Sequence, residues 1–227
     1  MKSMKNWPKQ NFKNLFMKKN AFYFGLLGVI LFVITTIIAG IVYPNYSHLS
    51  QFISESYAVD APYADPLRFY GYIPSGICFI LFGYFSNAYF PKSTLKTLSL
   101  IGIGLGYGLG TIICGIFNCD AGCNPNFVNP SVSQIIHNLS GMLTYLIVPI
   151  SILGFGIASR KWSNSALLSN ISLIVAVLSF VFVVVLNQNL DSDYKGLIQR
   201  IIEGSILFWI LVCALHISKA TEHATTP

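Results

Sequence analysis

The sequence predicts an all-α membrane protein, a polytopic bundle of six transmembrane helices with both termini cytoplasmic. Of its 227 residues, 54% are hydrophobic and only 10% charged, with a mean hydropathy of +0.63; a surface so poor in charge suits lipid rather than water. Six apolar runs mark the chain, each long enough to cross about 30 Å of hydrocarbon at about 1.5 Å per residue. Placing successive loops on alternate sides puts six N-terminal lysines, Lys92, Lys96, Arg160, Lys161 and Lys219 on one side and Arg68, Lys195 and Arg200 on the other. That asymmetry sets orientation in the membrane and accounts for the net charge of +6 without a nucleic-acid partner.

Residues 1–21 read as a basic juxtamembrane segment in which Lys2, Lys5, Lys9, Lys13, Lys18 and Lys19 are interleaved with Trp7, Phe12, Leu15 and Phe16. Such a segment suits anionic headgroups, and equally a solvated tail that only sets topology. The first span, Phe22 to Val42, is longer than a signal-peptide core and lacks a convincing cleavage site, so it is expected to be retained. Asp65-Pro66 reads as a cap and first-turn proline for the second span, Leu67 to Phe90. Pro74 in that span and Pro149 in the fourth predict kinks.

The third span, Leu95 to Phe117, carries Gly102-Ile-Gly-Leu-Gly-Tyr-Gly-Leu-Gly110. Without a preceding strand this is no phosphate loop, and Gly102, Gly106 and Gly110 instead form a face for close approach of another helix, a possible partner contact. The fourth span is Ser133 to Ile157. The fifth, Ala166 to Leu186, is almost wholly Val, Leu, Ile and Phe and is expected at the lipid-facing periphery. The sixth is Gly196 to Ile217, with Asp193 a candidate cap, and 218–227 form a short cytoplasmic tail. The domain order is therefore 1–21, the membrane domain 22–217, and 218–227.

Residues able to carry chemistry gather at the outer side. Cys119 and Cys123 lie in one outer loop with Gly122 between them, which favours a disulfide in an oxidising compartment over a metal site completed by His137. Cys78, Cys114 and Cys213 read as core residues. Gln134, His137, Asn138, Gly141 and Tyr145 form a polar stripe at helical spacing on the fourth span, and Gln199, Arg200 and Glu203 a matching one on the sixth. Ionisable groups at such depth need a partner or a hydrated cavity, and Arg200 with Glu203 offers the simplest pair. His48, Gln51, Phe52 and Glu55 would share one face of a short interfacial helix able to lid the bundle, with Arg68, Tyr72 and Ser75 near the same level.

Tyr43-Pro-x-Tyr-Ser-His-Leu-Ser-Gln-Phe-Ile-Ser-Glu55, Phe117-Asn-Cys-Asp-Ala-Gly-Cys123, Gln134-x-x-His137-Asn and Tyr194-Lys-Gly-Leu-Ile-Gln-Arg200 resemble the bacterial and archaeal membrane family known as domain-of-unknown-function 998. Asn118 stands where that resemblance leads one to expect proline. The resemblance implies the six-pass fold and the region of interest, but no reaction.

The leading expectation is an outward-facing polar pocket in the plasma membrane that binds or modifies a small amphiphile or lipid headgroup. Glu203 and His137 would be acid/base or hydrogen-bonding groups, Arg200 and Arg68 anion binders and Asp120 an orienter, with His48, Glu55, Gln134, Asn138 and Gln199 around them. Membrane lipids are the expected partners, with no cofactor and no metal. A small-solute transporter or channel is the first alternative, and a structural or assembly subunit packing through the glycine face the second.

Overall fold

The computed structural model describes residues 7–219, with side chains from residue 14 onward. The readings made on Lys2, Lys5 and the tail from residue 220, and on the side chains of Trp7, Lys9, Phe12 and Lys13, lie outside the described residues.

Among the described residues there is no strand, and six helices are long and apolar enough to cross a membrane: α1 (Trp7–Val42), α2 (Ala64–Tyr89), α3 (Thr94–Ile116), α4 (Val132–Ser159), α5 (Ala166–Gln188) and α6 (Lys195–Lys219). Five of these match the apolar runs to within three residues at either end. The sixth, α1, begins 15 residues before Phe22, so the basic segment from Trp7 continues the membrane helix without a break. The cap expected at Asp65 is displaced: the chain enters α2 through Tyr63 in the left-handed region, and Asp65 falls inside the first turn. Asp193 does not cap α6. The turn before that helix closes instead with Tyr194 N–H donating to the Ser192 hydroxyl at 3.1 Å.

Helices adjacent in sequence pack against each other in space, and α6 returns to close a ring against α1. An even number of crossings leaves two unlike ends. The lid end carries the connections 43–63, 117–131 and 189–194, and the terminal end carries 90–93, 160–165 and both ends of the described chain.

Two π-helical stretches interrupt the ring. Arg68–Tyr72 lies directly ahead of Pro74, which has no N–H to give to Tyr70 and whose ring would strike that carbonyl in an α-helix; widening the turn relieves the clash. Ile103–Leu109 coincides with the glycine run. Residues two apart point to nearly opposite sides of a helix, so alternate glycines serve different neighbours. Gly102, Gly106 and Gly110 face Ser151, Ile147 and Thr144 of α4, while Gly108 faces α2 so closely that a Cβ would stand 2.8 Å from the Gly76 carbonyl. The neighbour of the predicted glycine face is thus a helix of the same chain.

The two halves of the ring are filled differently. In the terminal half, Phe155 meets Trp209 edge-on at 5.2 Å and Phe90 at 5.0 Å, and Phe90 stacks on Trp162 at 5.3 Å. The polar side chains that a conduit might use are spent on helix contacts. Trp209 Nε1 donates to Ser172 at 2.8 Å, the Ser179 and Ser205 hydroxyls pair at 2.6 Å, and Ser151 returns to the Ile147 carbonyl. These serines also correct the picture of α5 as wholly peripheral, since its Ser169, Ser172 and Ser179 edge is buried against α4 and α6.

Candidate functional site

The lid is residues 43–63. The expected helix through His48–Glu55 does not form; its place is taken by turns and one 3-10 turn, Ser54–Tyr57. Side chains explain why. Gln51 Oε1 accepts from Ser47 N at 2.8 Å and Glu55 Oε1 from Phe52 N at 2.9 Å, so donors that a helix needs are captured locally.

Two elements hold this irregular segment down. From α6, Arg200 Nη1 donates to the carbonyls of His48 and Gln51, both at 2.8 Å, and of Gly196 at 2.9 Å, while Nη2 donates to the Tyr46 hydroxyl at 2.6 Å. Gln199 Oε1 accepts from Ile53 N at 2.7 Å, the otherwise orphaned N–H of Leu197 donates to Leu49 O at 2.9 Å, and Lys195 pairs with Glu55 at 3.6 Å. Gly196 is needed there because a Cβ would stand 2.8 Å from the His48 carbonyl. From the loop before α4, the Cys119 carbonyl accepts from Val59 N at 3.0 Å, and Gly122 N donates to Asp60 at 3.0 Å.

Cys119 and Cys123 are joined as a disulfide with Cα atoms 4.8 Å apart. The same loop is tied to α4 through Asp120, whose Oδ2 accepts from Ser131 N at 3.0 Å and Asn124 at 3.4 Å, and these bonds hold its carboxyl below the usual range.

Beneath the lid lies a cavity of about 90 Å³ enclosed by α1, α2, α3, α4, α6 and the lid residues Ile53, Ser54 and Tyr57. At its side stands Glu203, only 9% exposed. Tyr107 of α3 donates to Oε2 at 2.7 Å and Tyr145 of α4 to Oε1 at 2.8 Å, so three helices converge on one carboxyl group. His137 lines the same space with Nδ1 2.9 Å from the Phe117 carbonyl. A carbonyl only accepts, so Nδ1 carries the proton, and Nε2 of the neutral ring keeps a lone pair. The aromatic wall is continuous: Tyr57 to Tyr72 at 4.8 Å, Tyr72 to Phe32 at 5.3 Å, Phe32 to Tyr107 at 6.2 Å. Burial raises the Tyr57 hydroxyl well above its ordinary pKa, which keeps it a neutral phenol.

A second, almost wholly apolar cavity of about 150 Å³ runs between α1 and α6. It shares Phe32, Ile53 and Glu203 with the first and reaches the outside of the bundle past Val33, Ile37 and Gly204, where nothing stands within 4 Å of a Cβ built on that glycine.

The residues singled out in sequence therefore separate. His137, Glu203 and Gln199 border one cavity. Asp120 does not border it, and Gln134 and Asn138 bond to each other at 2.8 Å, with Gln134 Oε1 accepting from Asp120 N. Arg68 donates to the Gly115 and Ile116 carbonyls and pairs with Asp65, which closes the C-terminal end of α3. Glu55 is a lid brace. His48 packs edge-on to Tyr46 over Gly40, and burial and Arg200 both hold its imidazole below the usual pKa. The expected Arg200–Glu203 pair is not formed: among the described residues the ion pairs are Arg68–Asp65 and Lys195–Glu55, and Arg200 turns toward the lid carbonyls that need it.

The family model described as Protein of unknown function (DUF998) matches residues 26–216, from the middle of α1 almost to the end of α6. The chain belongs to this family. No curated protein and no solved structure matches it.

Three of the side chains around the DUF998 cavity escaped sequence reasoning. Tyr107 was hidden in a glycine run read only for its packing, although a lone tyrosine in an apolar span already implied a buried hydroxyl in need of a partner. Tyr57 and Cys114 carried no comparable signal, since each reaches the cavity through tertiary folding alone.

Proposed function

We propose that this membrane protein binds the polar head of a small amphiphile in the cavity beneath the lid, and that Glu203 and His137 are the groups that meet it. The observation that carries the reading is the Glu203 carboxyl, placed within a membrane span, hydrogen-bonded among the described residues by two phenols, and bordering the cavity beneath the lid. Ionisable groups at such depth are costly without a partner, and a ligand in the cavity supplies one. A volume of about 90 Å³ holds several waters or a compact headgroup, since one water needs roughly 10–15 Å³ on this measure. With a lone pair on His137 and a carboxyl on Glu203, the pocket has the groups for proton transfer as well as for binding. The aromatic packing of the terminal half favours a pocket closed at its base over a conduit.

The lid end is read as the outward face because of the basic-residue bias, so reporter fusions at Pro91 and Asn129 are expected on opposite sides with Asn129 outside. The binding reading is tested by native mass spectrometry of protein taken from its own membranes in mild detergent. A discrete amphiphile retained by the wild type and lost from a folded Glu203→Gln variant is expected, and a wild type that carries nothing beyond bulk lipid contradicts the reading.

A further inference from the structure

We infer that the ligand is a cationic amphiphile, its ammonium head held against Glu203 inside the aromatic wall and its apolar chain leaving sideways between α1 and α6. This rests on the pocket reading above and specifies its ligand.

Charge carries the first step. Among the described residues Glu203 is the one acidic side chain bordering the cavity, and no lysine or arginine borders it, Arg200 bordering the adjoining groove instead. A carboxylate has about four lone-pair positions, and the phenols of Tyr107 and Tyr145 take two. Acceptor capacity remains. The nearest guanidinium, one turn above on α6, gives both Nη groups to Tyr46, His48, Gln51 and Gly196, leaving only its buried Nε unpartnered, and Arg68 gives its Nη groups to the end of α3 and to Asp65. An anionic head would set two negative groups together in a low-dielectric space, whereas a cation supplies the missing partner.

The wall carries the second step. Phe32, Tyr57, Tyr72, Tyr107 and Tyr145 surround the space, with successive centroids from Tyr57 through Phe32 to Tyr107 between 4.8 and 6.2 Å apart. Aromatic faces attract cations, most strongly where water is excluded, and cages of this composition suit ammonium groups.

The groove carries the third. Apart from Thr36, Arg200 and Glu203 its lining is apolar, it meets the head cavity at Phe32, Ile53 and Glu203, and Val33 and Ile37 are 38% and 52% exposed on the outside of the bundle, where a membrane would lie. Gly204 leaves the groove open, because the space in front of it is empty. A head at Glu203 therefore has a chain path that never crosses the pinned lid.

The test compares probes on the full-length protein in a neutral maltoside detergent: dodecyltrimethylammonium, dodecyl phosphate and the chain-free tetramethylammonium ion, followed by native mass spectrometry and intrinsic fluorescence. Dodecyltrimethylammonium is expected to bind at least ten-fold more tightly than dodecyl phosphate, and Glu203→Gln to remove that preference. Gly204→Leu, which fills open space and raises helix propensity, is expected to weaken the long-chain cation at least ten-fold while leaving tetramethylammonium unchanged. Equal or tighter binding of dodecyl phosphate overturns the cationic assignment and leaves the pocket intact. Loss of both cations in Gly204→Leu overturns the sideways path. A wild type that binds none of the probes overturns both this inference and the pocket reading.

Discussion

The two ends of the bundle use aromatic residues in opposite ways. The terminal half is packed largely with phenylalanine and tryptophan, Phe90, Phe155, Trp162 and Trp209 among them, whose rings meet edge to face or stack. The lid half is walled largely with tyrosine, Tyr57, Tyr72, Tyr107 and Tyr145, and the last two direct hydroxyls to a carboxyl group. One added oxygen per ring changes the outcome. A phenyl ring satisfies itself by contact, whereas a buried phenol must find a partner, and directing two of them to one acid leaves a chamber instead of a solid core.

Phe155→Ala breaks the comparison from the solid side. Removing a buried phenylalanine costs about 3–5 kcal/mol in water-soluble cores; with lipid as the reference solvent the packing part remains, and a loss of about 2–4 kcal/mol is expected. Reversible unfolding in mixed micelles measures it, and hydrogen exchange in residues 46–58 should stay unchanged. Lid amides that exchange faster in this variant would show that the halves are coupled.

Arg200→Met tests the other side. The lid would lose three hydrogen bonds from a cation but keep those to Leu197 and Gln199. Its local opening should become easier by about 1.5–3 kcal/mol, roughly the worth of one charged hydrogen bond, with global unfolding nearly unmoved. Unchanged protection of residues 46–58 would mean that Leu197, Gln199 and the Cys119 loop retain the lid without Arg200.

A smaller effect is expected for the Cys119→Ser, Cys123→Ser double variant. Closing so short a loop is worth at most about 2 kcal/mol in the chain-entropy model. The loss should appear as faster exchange at Val59 and Gly122, where the loop grips the lid, rather than as a lower unfolding midpoint.

Much of the fold was legible because span length and apolar content are set by membrane thickness, a constraint local to each segment. The helical state of the basic stretch from Trp7 was not legible in the same way, because lysine ends a hydropathy window without ending a helix. Of the site, the stripes Gln134-His137-Asn138 and Gln199-Arg200-Glu203 were visible as polar residues at helical spacing in apolar runs. Their targets were not. Whether Arg200 turns up to the lid or across to Glu203 depends on carbonyls about 150 residues earlier in the chain, presented by a segment whose side chains prevent it from coiling. Tyr107 was obscured for a related reason: it sits in a π-helical stretch among glycines that serve packing on both sides.

The most direct measurement is an experimental density map of the wild-type protein prepared with its native lipids. Density that belongs to no residue of the chain is expected between Glu203 and the rings of Phe32, Tyr57 and Tyr72, continuing as a chain-like feature past Gly204 between α1 and α6. A chamber collapsed by inward movement of Tyr57 or Tyr145, or occupied by discrete waters alone with the α1–α6 groove empty, would contradict a bound amphiphile.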